Sequence, residues 1–105
     1  MHARRSPIAN RLLNSLPDSE YRVLSPLLTS VRLTFGDVLC ESGGRIEHVY
    51  FPNAGIISLL SSADDKALLE VGRIGREGVF GVCVALGDNV SSAQALVQGN
   101  GSAMR

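Results

Sequence analysis

Residues 31–60 read VRLTFGDVLCESGGRIEHVYFPNAGIISLL, and this stretch decides the fold class. Val31, Leu33 and Phe35 alternate with Arg32 and Thr34, the period-two pattern of a half-buried strand. Gly36-Asp37 turns the chain into Val38-Leu39-Cys40, and Ser42-Gly43-Gly44 turns it again into His48-Val49-Tyr50-Phe51. Pro52-Asn53-Ala54-Gly55 reads as a third turn, followed by the strand Ile56-Ile57-Ser58-Leu59-Leu60. Strands recurring every 8–12 residues or so with glycine-rich punctuation are the signature of a sandwich, roll or barrel.

Working outward, Asp64-Asp65-Lys66 predicts a hairpin tip leading into a strand over 68–74. Gly75-Arg76-Glu77-Gly78 interrupts, and the apolar run 79–86 predicts a short buried helix stopped by Gly87. Gln94 to Val97 reads as a strand and Gly99-Asn100-Gly101 as a turn. Ser102 to Arg105 then begins a strand that these residues do not finish, which would leave its partner with an unpaired edge. On the N-terminal side the period is helical. Ser6 is the expected N-cap with Pro7 in the first turn, and Ile8, Leu12, Leu13 and Leu16 share one face. Pro17-Asp18 breaks the run, Tyr21, Leu24, Leu27 and Leu28 form a second stripe, and Pro26 kinks or shortens it. The expected fold is mainly β: a double-stranded β-helix or jelly-roll-like β-roll over residues 30–105, preceded by a helical segment over 1–29.

Composition narrows the function. The 105 residues allow one domain. Ten basic and ten acidic side chains cancel, which removes the electrostatic drive for binding duplex DNA or an anionic membrane. No apolar run is long enough to span a bilayer, and Asn10 and Arg11 stand where a signal peptide needs its hydrophobic region. Cys40 and Cys83 fit neither a disulfide framework nor a zinc motif, and two separated thiols cannot hold an iron–sulfur cluster. Both are expected to be packed core cysteines in a reduced, cytoplasmic protein. His2 and His48 are the only imidazoles, too few and too far apart for a metal-dependent β-roll enzyme. No Gly-x-Ser-x-Gly elbow or phosphate loop occurs, so the chain is not expected to be an enzyme or to carry a cofactor.

Three stretches together resemble the N-terminal, cyclic-nucleotide-binding-type domain of the Crp/Fnr family of bacterial transcription regulators. They are Asn10-Arg11-Leu12-Leu13 through Leu16-Pro17; Phe35-Gly36-Asp37-Val38-Leu39-Cys40-Glu41 through Ile46-Glu47-His48-Val49-Tyr50-Phe51-Pro52, with Gly55 to Leu60 behind it; and Glu70-Val71-Gly72 followed by Gly75-Arg76-Glu77-Gly78 and Gly81. The resemblance implies a sensory β-roll that receives a small-molecule or redox signal, its partner an unidentified small-molecule effector or protein, and passes the signal to a dimerisation helix and a helix-turn-helix. DNA would be a partner only through that further domain, which these residues do not include, and a homodimer is implied for the full-length form.

The departures from the resemblance concern the ligand. Cyclic-nucleotide-binding members carry a short-helix phosphate cassette after the strand that ends here near Ile74, with a glutamate for the ribose and an arginine for the phosphate. Aligned on Gly81, those positions fall on Val82 and Ser92, and no Arg or Lys lies between Arg76 and Arg105. The candidate ligand pocket is therefore Gly75, Arg76, Glu77, Gly78, Gly81, Val82, Ser91 and Ser92, stripped of the usual cyclic AMP contacts. Glu77 also reads as a turn carboxylate at a helix start, and Arg73 and Arg76 as surface residues. An alternative of a different class is a stand-alone interaction module built on the same degenerate roll.

Overall fold

The computed structural model describes residues 9–62, 68–81, 87 and 90–105. Two short helices open it, α1 (Arg11–Asn14) and α2 (Asp18–Leu24), and a 3-10 turn at Ser25–Leu27 carries Pro26 where the kink was expected. The expected cap at Ser6-Pro7 lies outside the described residues; α1 is capped instead by Asn10, whose side-chain oxygen accepts from the Leu13 amide. Of the predicted apolar stripe, Leu13 is buried, whereas Leu12 and Leu27 face solvent.

Among the described residues five strands follow: β1 (Ser30–Leu33), β2 (Val38–Cys40), β3 (Phe51–Ser62), β4 (Leu68–Ile74) and β5 (Gln94–Met104). All pairings are antiparallel, in the order β1-β5-β3-β4, with β2 also on β5. The two long strands carry the architecture. The C-terminal half of β5 pairs with β1 and its N-terminal half with β2, while the later half of β3 takes β4. An expected mainly-β roll with short helices at its front is what forms.

Two predicted turns are not turns. Pro52-Asn53-Ala54-Gly55 lies inside β3, and Gly99-Asn100-Gly101 lies inside β5, where the two segments pair with each other through a series of register shifts. Glycine reads as punctuation in a sequence, but here it lets two long strands bend together. Gly55 has φ +92°, and a Cβ on it would come within 2.5 Å of the Gly99 carbonyl. A Cβ on Gly101 would collide with the Ala54 carbonyl. The backbones pack too closely at this corner for any side chain.

The same pairing corrects a second expectation. Ser102–Met104 does not begin a strand with an unpaired edge: it belongs to β5, which is bonded on one side to Ser30–Leu33 and on the other to Phe51–Ala54. Thr29 and Arg105 extend the ladder by two further backbone bonds. Phe35, expected to continue the apolar face of β1, is 62% exposed because the strand ends at Leu33 and a turn begins. Of the helix expected over 79–86, Val79 to Gly81 are non-helical, Phe80 bridging to Tyr50; the remainder lies outside the described residues, as do the 64–66 hairpin tip and Cys83. The core gathers Leu33, Ile57, Ala95, Val97 and Ala103 with Cys40, Ile46, Tyr50 and Phe80, so Cys40 is the packed core cysteine that was expected.

Candidate functional site

Inward-pointing residues of β3 and β4 leave a concavity of about 330 Å³ rather than filling the roll completely. Leu59 and Ile74 form its floor, with Ile46 and Phe80 beside them. Val79, Gly81 and the segment Val90-Ser91-Ser92-Ala93 close the other side. The volume sits at the low end of small-molecule sites. Among the described residues that line it, none is charged.

The wall made by Ser91 is held rigidly. Ser91 exchanges backbone bonds with Gly43 (2.8 Å) and Gly44 (2.9 Å), and its hydroxyl donates to the Ala93 carbonyl at 2.5 Å while accepting from the Ala93 amide. The Ser91 hydroxyl is thus consumed by its own turn. Ser92 is exposed at the rim, and only its carbonyl is engaged, by the Ser42 hydroxyl at 3.4 Å. Gly81 has φ +95° and lies against the His48 carbonyl and Ile46, so the glycine is required by close backbone approach.

Of the candidate residues, then, Gly81, Ser91 and Ser92 meet in one pocket, and Val82 lies outside the described residues. Gly75, Arg76, Glu77 and Gly78 do not line it. They form a tight turn, closed by the Gly78 amide on the Gly75 carbonyl at 3.0 Å, that serves a structural purpose. The Arg76 carbonyl accepts from the Arg11 amide, and the Gly78 carbonyl accepts from the Asn10 side chain at 2.9 Å. Glu77 and the Arg76 side chain are exposed. Arg73 is withdrawn as well: its Nε–H is shared between the two carboxylate oxygens of Glu70 (2.8 and 3.0 Å) on the outer face of the sheet, opposite the pocket. Glu70 also accepts from the fully buried Ser58 hydroxyl, and the Arg73 hydrogen bonds hold its carboxyl below the ordinary glutamate range.

Two residues escaped the sequence reading. Asn10 is completely buried and donates to the carbonyls of both Pro52 (2.7 Å) and Gly78, while Asn53 accepts from the amides of Ala9 and Asn10. The signal was its place at the head of the Asn10-Arg11-Leu12-Leu13 motif. Arg45 is the second: an isolated bridge sets it opposite Val90 at the pocket rim, where it is exposed. Among the described residues no group of three or more His, Cys, Asp or Glu side chains is placed to hold a metal.

Solved structures with this arrangement decide the fold. The N-terminal domain of a transcriptional regulator from Streptomyces coelicolor superposes with a TM-score of 0.76 at 19% identity, over 90% of this chain and 66% of that one. The chain has the cyclic-nucleotide-binding fold. A regulatory subunit of a cAMP-independent protein kinase A from Trypanosoma brucei matches with a TM-score of 0.78 at 20% identity, over 90% of this chain and 35% of its own. A cAMP-binding-type regulatory protein from Silicibacter pomeroyi matches at 0.76 and 19%, over 89% and 43%. The chain thus spans about a third to two thirds of the length of these neighbours, which are regulatory or binding domains. No family model and no curated protein sequence matches it. No helix among the described residues is long and apolar enough to cross a membrane.

Proposed function

We propose that this roll is the non-enzymatic, effector-sensing domain of a Crp/Fnr-type transcription regulator, and that it does not bind cyclic AMP or cyclic GMP through the usual phosphate and ribose contacts. The observation that carries the second half is the uncharged lining around Gly81, Val90, Ser91 and Ser92. A cyclic phosphate buried there loses its hydration, a penalty of several kcal/mol that only a paired cation or several aimed donors return. Arg45 is exposed at the rim, where a screened guanidinium contributes about 0–1 kcal/mol. The first half rests on the three sequence stretches and on the regulator domain among the structural neighbours. Occupation of the pocket would move the segment next to it, and that shift would reach DNA through a dimerisation helix and a helix-turn-helix elsewhere in a longer protein.

A comparable situation exists among the neighbours. The Trypanosoma brucei subunit belongs to a cAMP-independent protein kinase A, and a triple mutant of it, in which one substitution introduces an arginine, is bound to cAMP in its A site. Titration calorimetry tests the reading here. The chain should show no dissociation constant for cyclic AMP or cyclic GMP tighter than about 10 μM, or ~7 kcal/mol. The pair Val82→Glu with Ser92→Arg should gain weak binding. Micromolar or tighter binding by the unsubstituted chain overturns the proposal for the ligand. A reading frame that continues from the Arg105 codon into a helix and helix-turn-helix supports the regulator, and one that encodes neither overturns it.

A further inference from the structure

The proposal above says what the pocket refuses; its walls also say what it accepts. We infer that its effector is an uncharged, mainly hydrocarbon small molecule, of one or two rings' size, carrying a single hydrogen-bonding group directed at Ser92. The inference rests on the pocket being the sensory site, and it adds the ligand's chemical class.

Ile46, Leu59, Ile74, Val79, Phe80 and Val90 give the ligand an apolar surround, with the one aromatic ring, Phe80, fixed by its tilted packing on Tyr50. A cavity this size suits a compact body of one or two rings. Polar capacity is sparse and unequal. The Ser91 hydroxyl is spent on Ala93, whereas the Ser92 hydroxyl makes no hydrogen bond among the described residues and stands at the mouth. One free hydroxyl beside an apolar cavity suits one polar atom on the ligand. Fixed charge is disfavoured on both signs. An anion would surrender its hydration for Arg45 alone, which remains solvent-screened. Among the described lining residues a cation finds no carboxylate, since Glu70 is engaged by Arg73 on the opposite face and Glu77 lies on the outer turn.

A second concavity, about 400 Å³ between Leu24, Leu27, Leu28, Val49 and Phe51, shares Val79 with the first and has Arg105 in its lining; it is the natural competitor for any hydrophobic probe. The experiment separates the two. The uncharged fluorophore N-phenyl-1-naphthylamine is titrated into the intact chain, with its sulfonated anionic counterpart and cyclic AMP in parallel. Saturable one-to-one fluorescence enhancement is expected for the uncharged probe. Ala93→Leu, which fills the cavity, and Val90→Asp, which sets a short charge at its half-exposed rim, should each weaken it at least about tenfold. Leu27→Asp in the competing concavity should leave it within about twofold, because Leu27 does not touch the pocket. Val90→Asp keeps the test valid if Ala93→Leu does not fold, since Val90 is 52% exposed. Absence of saturable binding, binding abolished only by Leu27→Asp, or equal affinity for the anionic probe each overturns the inference while leaving cyclic-nucleotide refusal standing. Tight cyclic AMP binding instead overturns the proposed function itself.

Discussion

Removing the Asn10 side chain should destabilise the roll more than any other single change at its N-terminus. The amide caps α1, and it donates to the Pro52 carbonyl at the start of β3 and to the Gly78 carbonyl in the turn after β4. Asn10→Ala costs about 1 kcal/mol for the lost cap. It also orphans the buried Pro52 carbonyl, worth about 1–3 kcal/mol, and the part-buried Gly78 carbonyl, worth about 1 kcal/mol where water can enter. Together these amount to about 3–5 kcal/mol, a large share of the roughly 5–15 kcal/mol available to a domain of this size. At about 4 °C or more per kcal/mol, the melting temperature should fall by about 12–20 °C. Asn10→Asp is the sharper probe. It keeps the acceptor for the Leu13 amide but turns lone pairs toward the two carbonyls, so near neutral pH it should be at least as destabilising as alanine. Burial and those carbonyls raise its carboxyl in the folded state. The raised value makes the variant gain stability as pH falls, with the gain complete below the ordinary aspartate range and lost as pH rises through the folded value. Urea melts monitored by circular dichroism between about pH 4 and 7.5 read this directly. Loss of under about 1 kcal/mol for alanine, or an aspartate variant whose stability ignores pH, would refute the assignment of Asn10 as the clamp.

Three further outcomes are expected. Gly101→Ala forces a Cβ into the Ala54 carbonyl and should cost more than the ~1–3 kcal/mol of ordinary overpacking, whereas Gly36→Ala meets open space and should cost only the ~1–2 kcal/mol of its positive φ; denaturant melts of the two variants give the comparison. The Glu70 carboxyl should titrate below the ordinary glutamate value by carbon-detected NMR and return toward it in Arg73→Ala; because its value is depressed in the fold, its small contribution is present above the unfolded value and fades as pH drops through the folded one. These 105 residues should give no electrophoretic shift with duplex DNA at about 150 mM salt and sub-micromolar protein, ten charges of each sign leaving little counterion release.

How far the sequence reaches is seen in Val38-Leu39-Cys40, Leu68–Ile74 and the Pro26 kink, which appear where the residue pattern put them. Each depends on neighbours a few positions away, and alternation, β-branching and proline geometry are local. The absence of basic residues between Arg76 and Arg105, on which the proposed refusal of cyclic nucleotides rests, is equally legible, being a property of composition. Long-range pairing decided the rest. Whether a glycine ends a strand or bends it depends on what lies across the ladder: Gly55 packs on the Gly99 carbonyl and Gly101 on the Ala54 carbonyl, and only the register of β3 on β5 reveals that. Asn10 looked like part of a helix opening, but its two carbonyl partners are 42 and 68 residues away in the chain. Glycines and charges make Gly75 to Gly78 read as a ligand loop, yet the Arg76 and Gly78 carbonyls are taken by the N-terminal segment. The pocket is the plainest case, because a cavity is what packing leaves unfilled and no stretch of sequence contains it.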